Sequence, residues 1–253
     1  MARLKGIIKL QGTLDDLTFY KTKDGNLVKT KSSISKDRIA TDPAFIRTRE
    51  NGSEFGSAAS AGKLLRIAVK NLLATSNSKL TSRVTKLMML LRTADITSMR
   101  GERNVYTAIG TAGGQDLIKD FNFNPNANLA SVFLRDYTLD KVTGKVSFLD
   151  IVATTDFVTP KGATSAILRT AWAKLDFKKK VFDIGYSDPF EITLNNPGAQ
   201  GPMDILIVKK PLTPGISLFF MCVEFTQLVN DVSYSLNNGT YNACAIIDSA
   251  IAV

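Results

Sequence analysis

The sequence contains no histidine. That single absence excludes Ser-His-Asp and Cys-His catalysis, histidine zinc sites and facial-triad iron centres. Cysteine is nearly absent too. Cys222 and Cys244 are too few for a disulfide framework or a cysteine metal site. Both lie in apolar, strand-like runs, where the burial preference of cysteine predicts reduced thiols; a disulfide between neighbouring strands is the alternative. Nowhere do 18 apolar residues run consecutively, so no membrane-spanning helix is expected. Lys9 interrupts the apolar residues at positions 6–10, so no secretory signal is expected. The default compartment is the cytoplasm, with extracellular assembly left open. Asn51-Gly52-Ser53 and Asn238-Gly239-Thr240 match the glycosylation pattern but read as turns.

What remains is an ordinary globular composition. Of 253 residues, 44% are hydrophobic and 22% charged, enough for a substantial core without staples. The net charge is +9, and its distribution is uneven. Residues 1–110 hold 20 basic and 9 acidic side chains, whereas residues 111–253 hold 12 and 14. A basic half suits a polyanionic partner: nucleic acid, an acidic surface, or an acidic face of another copy of the chain. The plainer alternative is a solvated basic face that keeps the protein soluble.

Residues 6–31 read as β structure. Asp24-Gly25 is a strong hairpin signal between residues 17–23 and 26–31. A two-residue turn there pairs Tyr20 with Lys29 and Thr22 with Leu27 on one face, Phe19 with Thr30 and Lys21 with Val28 on the other. Both faces mix apolar and basic residues, so this hairpin has no clean hydrophobic face and requires cover from its own chain or a neighbour. Residues 6–10 are the expected third strand, with 12–16 as the bend. Residues 32–41 read as irregular. Asp42-Pro43 then reads as a helix start, and apolar residues recur at helical spacing to about residue 74. Within that helix Gly52, Gly56 and Gly62 each cost about 1 kcal/mol against alanine, which calls for close approach of another backbone or a break at Asn51-Gly52. Ser78 is the expected cap of a second helix with the apolar stripe Leu80, Val84, Leu87, Met88 and Leu91. Residues 97–103 read as a basic loop and 110–114 as a flexible boundary.

From about residue 121 helical spacing gives way to short strand signals at 129–138, 144–152, 165–177, 180–186, 190–194, 203–209, 216–228 and 240–250, separated by turn residues. The predicted fold class is α+β: an N-terminal β-hairpin and two or three helices (residues 1–115), followed by an antiparallel β-sandwich (residues 121–253) for which an immunoglobulin-like topology is one option. Trp172 is the expected core anchor.

The tested motifs carry no chemistry. Gly56 to Leu64 imitates a phosphate-binding loop, but five residues separate the glycines and Leu64 replaces the required hydroxyl. Glu50 and Glu54, beside Arg47 and Arg49, read as surface ion pairs. No cofactor or metal is implied, and no enzyme activity is expected. Phe19 and Tyr20 beside lysines suit single-stranded nucleic acid or the docking of the hairpin.

Residues 5–13 (Lys-Gly-Ile-Ile-Lys-Leu-Gln-Gly-Thr), 17–25 (Leu-Thr-Phe-Tyr-Lys-Thr-Lys-Asp-Gly), 38–45 and 47–56, together with Val223-Glu224-Phe225-Thr226-Gln227 and Asn238-Gly239-Thr240-Tyr241-Asn242-Ala243, resemble a family of uncharacterised proteins common in Bacteroidota genomes. The resemblance implies a bacterial source and no catalytic residue. The residues themselves favour a structural, self-associating subunit of a filament or tube. Its expected interface comprises Phe19, Tyr20, Leu27, Val28, Gly52, Gly56, Ile246, Ile247, Ile251 and Val253. The chain ends in an apolar β-forming run, which is either buried in its own sandwich or added to a neighbour's sheet edge. The alternative is a nucleic-acid-binding protein or a phage-like virion component, with Lys21, Lys23, Lys29, Lys31, Arg100 and Arg103 as contacts.

Overall fold

The computed structural model describes residues 2–3, 10–23, 25–30, 34–73 and 79–251. It confirms an α+β fold built on antiparallel sheets. Two compact units divide between Asn51 and Gly52, not at the expected 115–121. The reason is that the helices after residue 52 share one hydrophobic cluster with the large sheet.

In the first unit β1 (Ala2–Arg3), β2 (Gly12–Leu14), β3 (Leu17–Thr22) and β4 (Gly25–Thr30) form a four-stranded sheet in the order β1-β4-β3-β2. The hairpin register differs from expectation by two residues. Phe19 pairs with Val28 and Tyr20 with Leu27. That register sets aromatic against aliphatic side chains across the strands, the more favourable cross-strand pairing. The faces keep their expected composition, because a two-residue slide preserves strand parity. β2, which pairs with β3, falls in the stretch 12–16 expected as a bend; of the expected third strand at 6–10 only Leu10 lies within the described residues. Asp15, at φ 49°, makes the bend between β2 and β3. Helix α1 (Lys36–Thr41) occupies a stretch expected to be irregular, because the Ser35 side chain accepts from the Arg38 N–H and caps it. Asp42 caps the single turn Pro43–Phe45, which leads into α2 (Ile46–Ala68). The helix runs unbroken through Asn51-Gly52.

The second unit carries α3 (Leu80–Leu91), α4 (Val105–Ile109), α5 (Ala112–Ile118) and α6 (Leu129–Val132), then β5 (Thr138–Leu139), β6 (Val146–Phe148), β7 (Ile151–Val152) and α7 (Ala153–Asp156). After these come β8 (Ser165–Asp176), β9 (Val181–Tyr186), β10 (Phe190–Thr193), β11 (Ala199–Gln200), β12 (Met203–Ile205), β13 (Ile216–Val229), β14 (Val232–Ser235) and β15 (Ala243–Ile251). All of the α3 stripe residues are buried; the expected cap Ser78 lies outside the described residues. The 110–114 boundary is instead the tight junction of α4 and α5. A Cβ on Gly114 would stand 2.0 Å from the Ala108 carbonyl oxygen, so only glycine lets these backbones approach so closely. Residues 129–132, expected as strand, are helical because the Asn128 side chain caps them.

Strands β8 and β13 pair along eleven residues at the centre of a six-stranded antiparallel sheet. β9 and β10 flank β8; β15 and β14 flank β13. Eight consecutive residues of β13, Ile216 to Val223, are buried, so both faces of the sheet are covered. On one face Ala171, Ala173, Leu175, Leu218 and Phe220 pack against α2, α3 and α5. On the other Leu168, Trp172, Phe219, Met221 and Phe225 meet Val146, Phe148 and Ile205 of the three-stranded sheet β12-β6-β5, which gives the sandwich-like layer. Strands distributed six, three and two differ from the immunoglobulin pair of sheets. Trp172 anchors the core as expected.

Cys222 and Cys244 stand directly opposite each other on β13 and β15 and form a disulfide, which replaces the expected pair of reduced thiols. The register of β15 puts both sulfurs on one face of adjacent strands. Among the described residues no helix is long and apolar enough to cross a membrane.

Candidate functional site

The first unit is distinguished by what it does not bury. No described residue from 10 to 51 is buried, whether in the sheet, in α1 or in the first turns of α2. Phe19, Tyr20, Leu27 and Val28 are half-buried, and Leu10, Leu14, Leu17 and Ile46 are exposed. The cause is the alternation itself. Tyr20, Leu27 and Lys29 lie on one face, and Leu17, Phe19, Lys21 and Val28 on the other. Neither face gathers enough apolar surface to form a core. Local contacts fasten the unit instead. The Lys29 Nζ stands 5.7 Å from the Tyr20 ring centre. The Thr22 hydroxyl donates to the Gly25 carbonyl, closing the hairpin. Arg49 donates to the Ile39 and Asp42 carbonyls, tying α1 to α2.

Lys21, Lys23 and Lys29 are exposed on this sheet, and Lys31 lies outside the described residues. Arg100 and Arg103, expected as nucleic-acid contacts with them, sit in the 97–104 loop, where Arg103 is already engaged by Glu54. The reading of Glu54 as a surface ion pair is overturned: its carboxylate is fully buried. Oε1 accepts from the Gly101 N–H and from Arg103 Nε, both at 2.8 Å, and Oε2 accepts from Arg103 Nη2 at 3.1 Å. Arg92 also pairs with Oε2. Burial, with Arg103 and Arg100 nearby, lowers the Arg92 pKa from its ordinary value. Sequence spacing gave no sign of this partnership, since the partners lie 38 to 49 positions away; one hint was a lone glutamate among the small residues of α2.

Asp95 organises the same loop. Oδ1 accepts from the Thr97 N–H and hydroxyl and the Ser98 N–H, and Oδ2 from the Asn104 N–H. Burial works to raise its pKa, but hydrogen bonds from Ser98, Asn104 and Thr97 outweigh it and hold the carboxyl at about 2. These hydrogen bonds staple the loop to itself.

No protein-family model, curated protein or solved structure matches the chain. The site residues therefore stand on geometry alone.

Of the other expected interface residues, Gly52 and Gly56 lie exposed on α2 with open space where a Cβ would project. Among the described residues no close approach explains them. The close approach expected of the small-residue segment is made by Gly62, whose Cβ position lies 3.3 Å from Val84 of α3. Ile246 and Ile247 are buried in the chain's own sheet, which removes them from the surface. Segment 120–123 also covers part of the outer edge of β15, with the Asp120 N–H donating to the Ile246 carbonyl and the Phe123 N–H to that of Cys244. Ile251 is half exposed at the strand's end, and Val253 lies outside the described residues. Among the described residues no group of three potential metal ligands occurs.

Proposed function

We propose that this protein is a structural, self-associating subunit whose N-terminal sheet is covered by a neighbouring copy. The observation that carries this reading is the absence of any buried residue among the described residues from 10 to 51, although these include four half-buried apolar side chains on paired strands. A small sheet without one hydrophobic face gains stability only when another surface excludes water from it. A contact between the basic first half of one copy and the slightly acidic second half of the next is heterologous, and repetition of such a contact without closure gives a filament or tube. The role is non-catalytic. The paired Cys222 and Cys244 favour assembly in an oxidising compartment. Negative-stain microscopy of the purified protein tests the proposal: ordered polymers or rings are expected, and the Phe19→Ser and Val28→Ser variants should abolish them while the second unit stays folded. Dispersed particles of monomer size at high concentration would refute it.

A second reading, a nucleic-acid-binding or virion-associated role, is favoured by the exposure of Lys21, Lys23 and Lys29 on the same sheet. It requires binding of labelled single strands that weakens steeply with salt. Absence of binding at low salt would remove it.

A further inference from the structure

A cleft of 440 Å³ opens on the helix-covered face of the large sheet, within the second unit. Its floor is formed by Ile167 and Arg169 of β8, Cys222 and Glu224 of β13, and Cys244 of β15. These residues share strand parity with the core residues Ala171 and Phe220, which the helices cover. Beyond the reach of that cover the same face carries the charged Arg169 and Glu224 beside Ile167. Arg169 pairs with Cys222, and Glu224 with Ile167, so the two charged residues are diagonal neighbours on adjacent strands. Diagonal neighbours stand about 7–8 Å apart, within which a guanidinium and a carboxylate can hold the two ends of one short molecule. Among the described residues, neither charged side chain makes an ion pair with the other or with any third group. Leu72, Phe123 and Ile167 give the cleft an apolar wall, and Asn238 stands at its rim.

We propose that this cleft binds a small zwitterion of the dipeptide class, with its carboxylate on Arg169 and its ammonium on Glu224. Guanidinium and carboxylate match in a two-bond fork, which fixes one end of the ligand. Glu224 receives the other end, and an apolar side chain rests against Leu72 and Phe123. The charges decide the class. A lone anion at Arg169 would face the Glu224 carboxylate as well, and a lone cation would face Arg169. A neutral sugar would leave both charges unanswered. The volume suits a small ligand, since such sites span about 300–1,000 Å³. It excludes a folded partner. The Cys222–Cys244 bond fixes two strands of the floor, so the charged pair is presented on a preformed surface.

Titration calorimetry with glycyl-L-leucine tests this on the full chain. Saturable binding is expected. N-acetylglycyl-L-leucine lacks the ammonium and glycyl-L-leucinamide lacks the carboxylate; each should bind at least about tenfold more weakly. L-Leucine, whose charges are too close together to span the pair, should also be weaker. Arg169→Gln and Glu224→Gln should each cost a similar factor without moving the melting temperature, because both side chains reach solvent. No saturable heat, equal binding of either blocked peptide, or equal binding of L-leucine would overturn the proposal. The cleft lies wholly after residue 52, so the result is independent of whether the N-terminal sheet mediates assembly.

Discussion

Replacing Glu54 with alanine should be among the most damaging single changes in the chain. Its side chain is 0% exposed, while its partners Arg92 and Arg103 are 16% and 29% exposed. Removing the carboxylate strands two guanidinium groups in a poorly hydrated site and leaves the Gly101 N–H without its acceptor. Breaking a buried ion pair from one side costs about 3–5 kcal/mol. For a cooperative unit of this size each kcal/mol lowers the melting temperature by about 2–4 °C. The expected fall is therefore roughly 6–20 °C, measured by circular dichroism with urea melts to give the free energy. The control is Arg47→Ala, which removes an exposed pair with Glu50 and should cost about 0–1 kcal/mol. A Glu54→Ala loss no larger than the control would refute the reasoning, since it would mean that the two arginines find water as readily as they find the carboxylate.

Three further outcomes follow from the geometry. Asp95 has a folded pKa held at about 2, below its ordinary 3.8, so its contribution is fully present above about pH 4 and is lost as pH falls towards 2; acid melts of the Asp95→Asn variant should lack that part of the transition. Gly114→Ala places a Cβ against the Ala108 carbonyl and should cost about 1–3 kcal/mol by urea denaturation, whereas Gly56→Ala, with open space around it, should raise monomer stability by about 1 kcal/mol. Cys222 and Cys244 should resist alkylation in the unfolded protein until a reductant is added, as read by mass spectrometry.

The sequence was most legible where one periodicity ruled. The α3 stripe and the strands β8, β9, β10, β13 and β15 lie where spacing placed them, because each has a single environment to satisfy. The hairpin faces were also legible, since parity survives a slide in register. The register itself was not, because the Asp24-Gly25 turn signal competed with the pairing of Phe19 against Val28 and Tyr20 against Leu27. The apolar run Ile216 to Val223, interrupted only by Ser217, carried a further message: a strand buried on both sides belongs between two layers, so the helices had to share its core rather than form a separate domain. The exposed Gly52 and Gly56 and the buried Glu54 share one helix, yet composition alone assigned the glycines to packing and the glutamate to the surface. Their true placement depends on partners far along the chain, which local spacing does not encode. The same holds for Arg169 and Glu224, whose proximity follows only from the pairing of β8 with β13.

The central claim is that the N-terminal sheet finds its cover on another copy. Light scattering of the intact protein against a variant lacking residues 1–31, over a wide concentration range, tests it most directly. The intact chain should scatter as species well above the 27.5 kDa monomer, growing with concentration, while the shortened chain remains a folded monomer. An intact protein that stays monomeric throughout, or a shortened one that assembles equally well, would contradict the account.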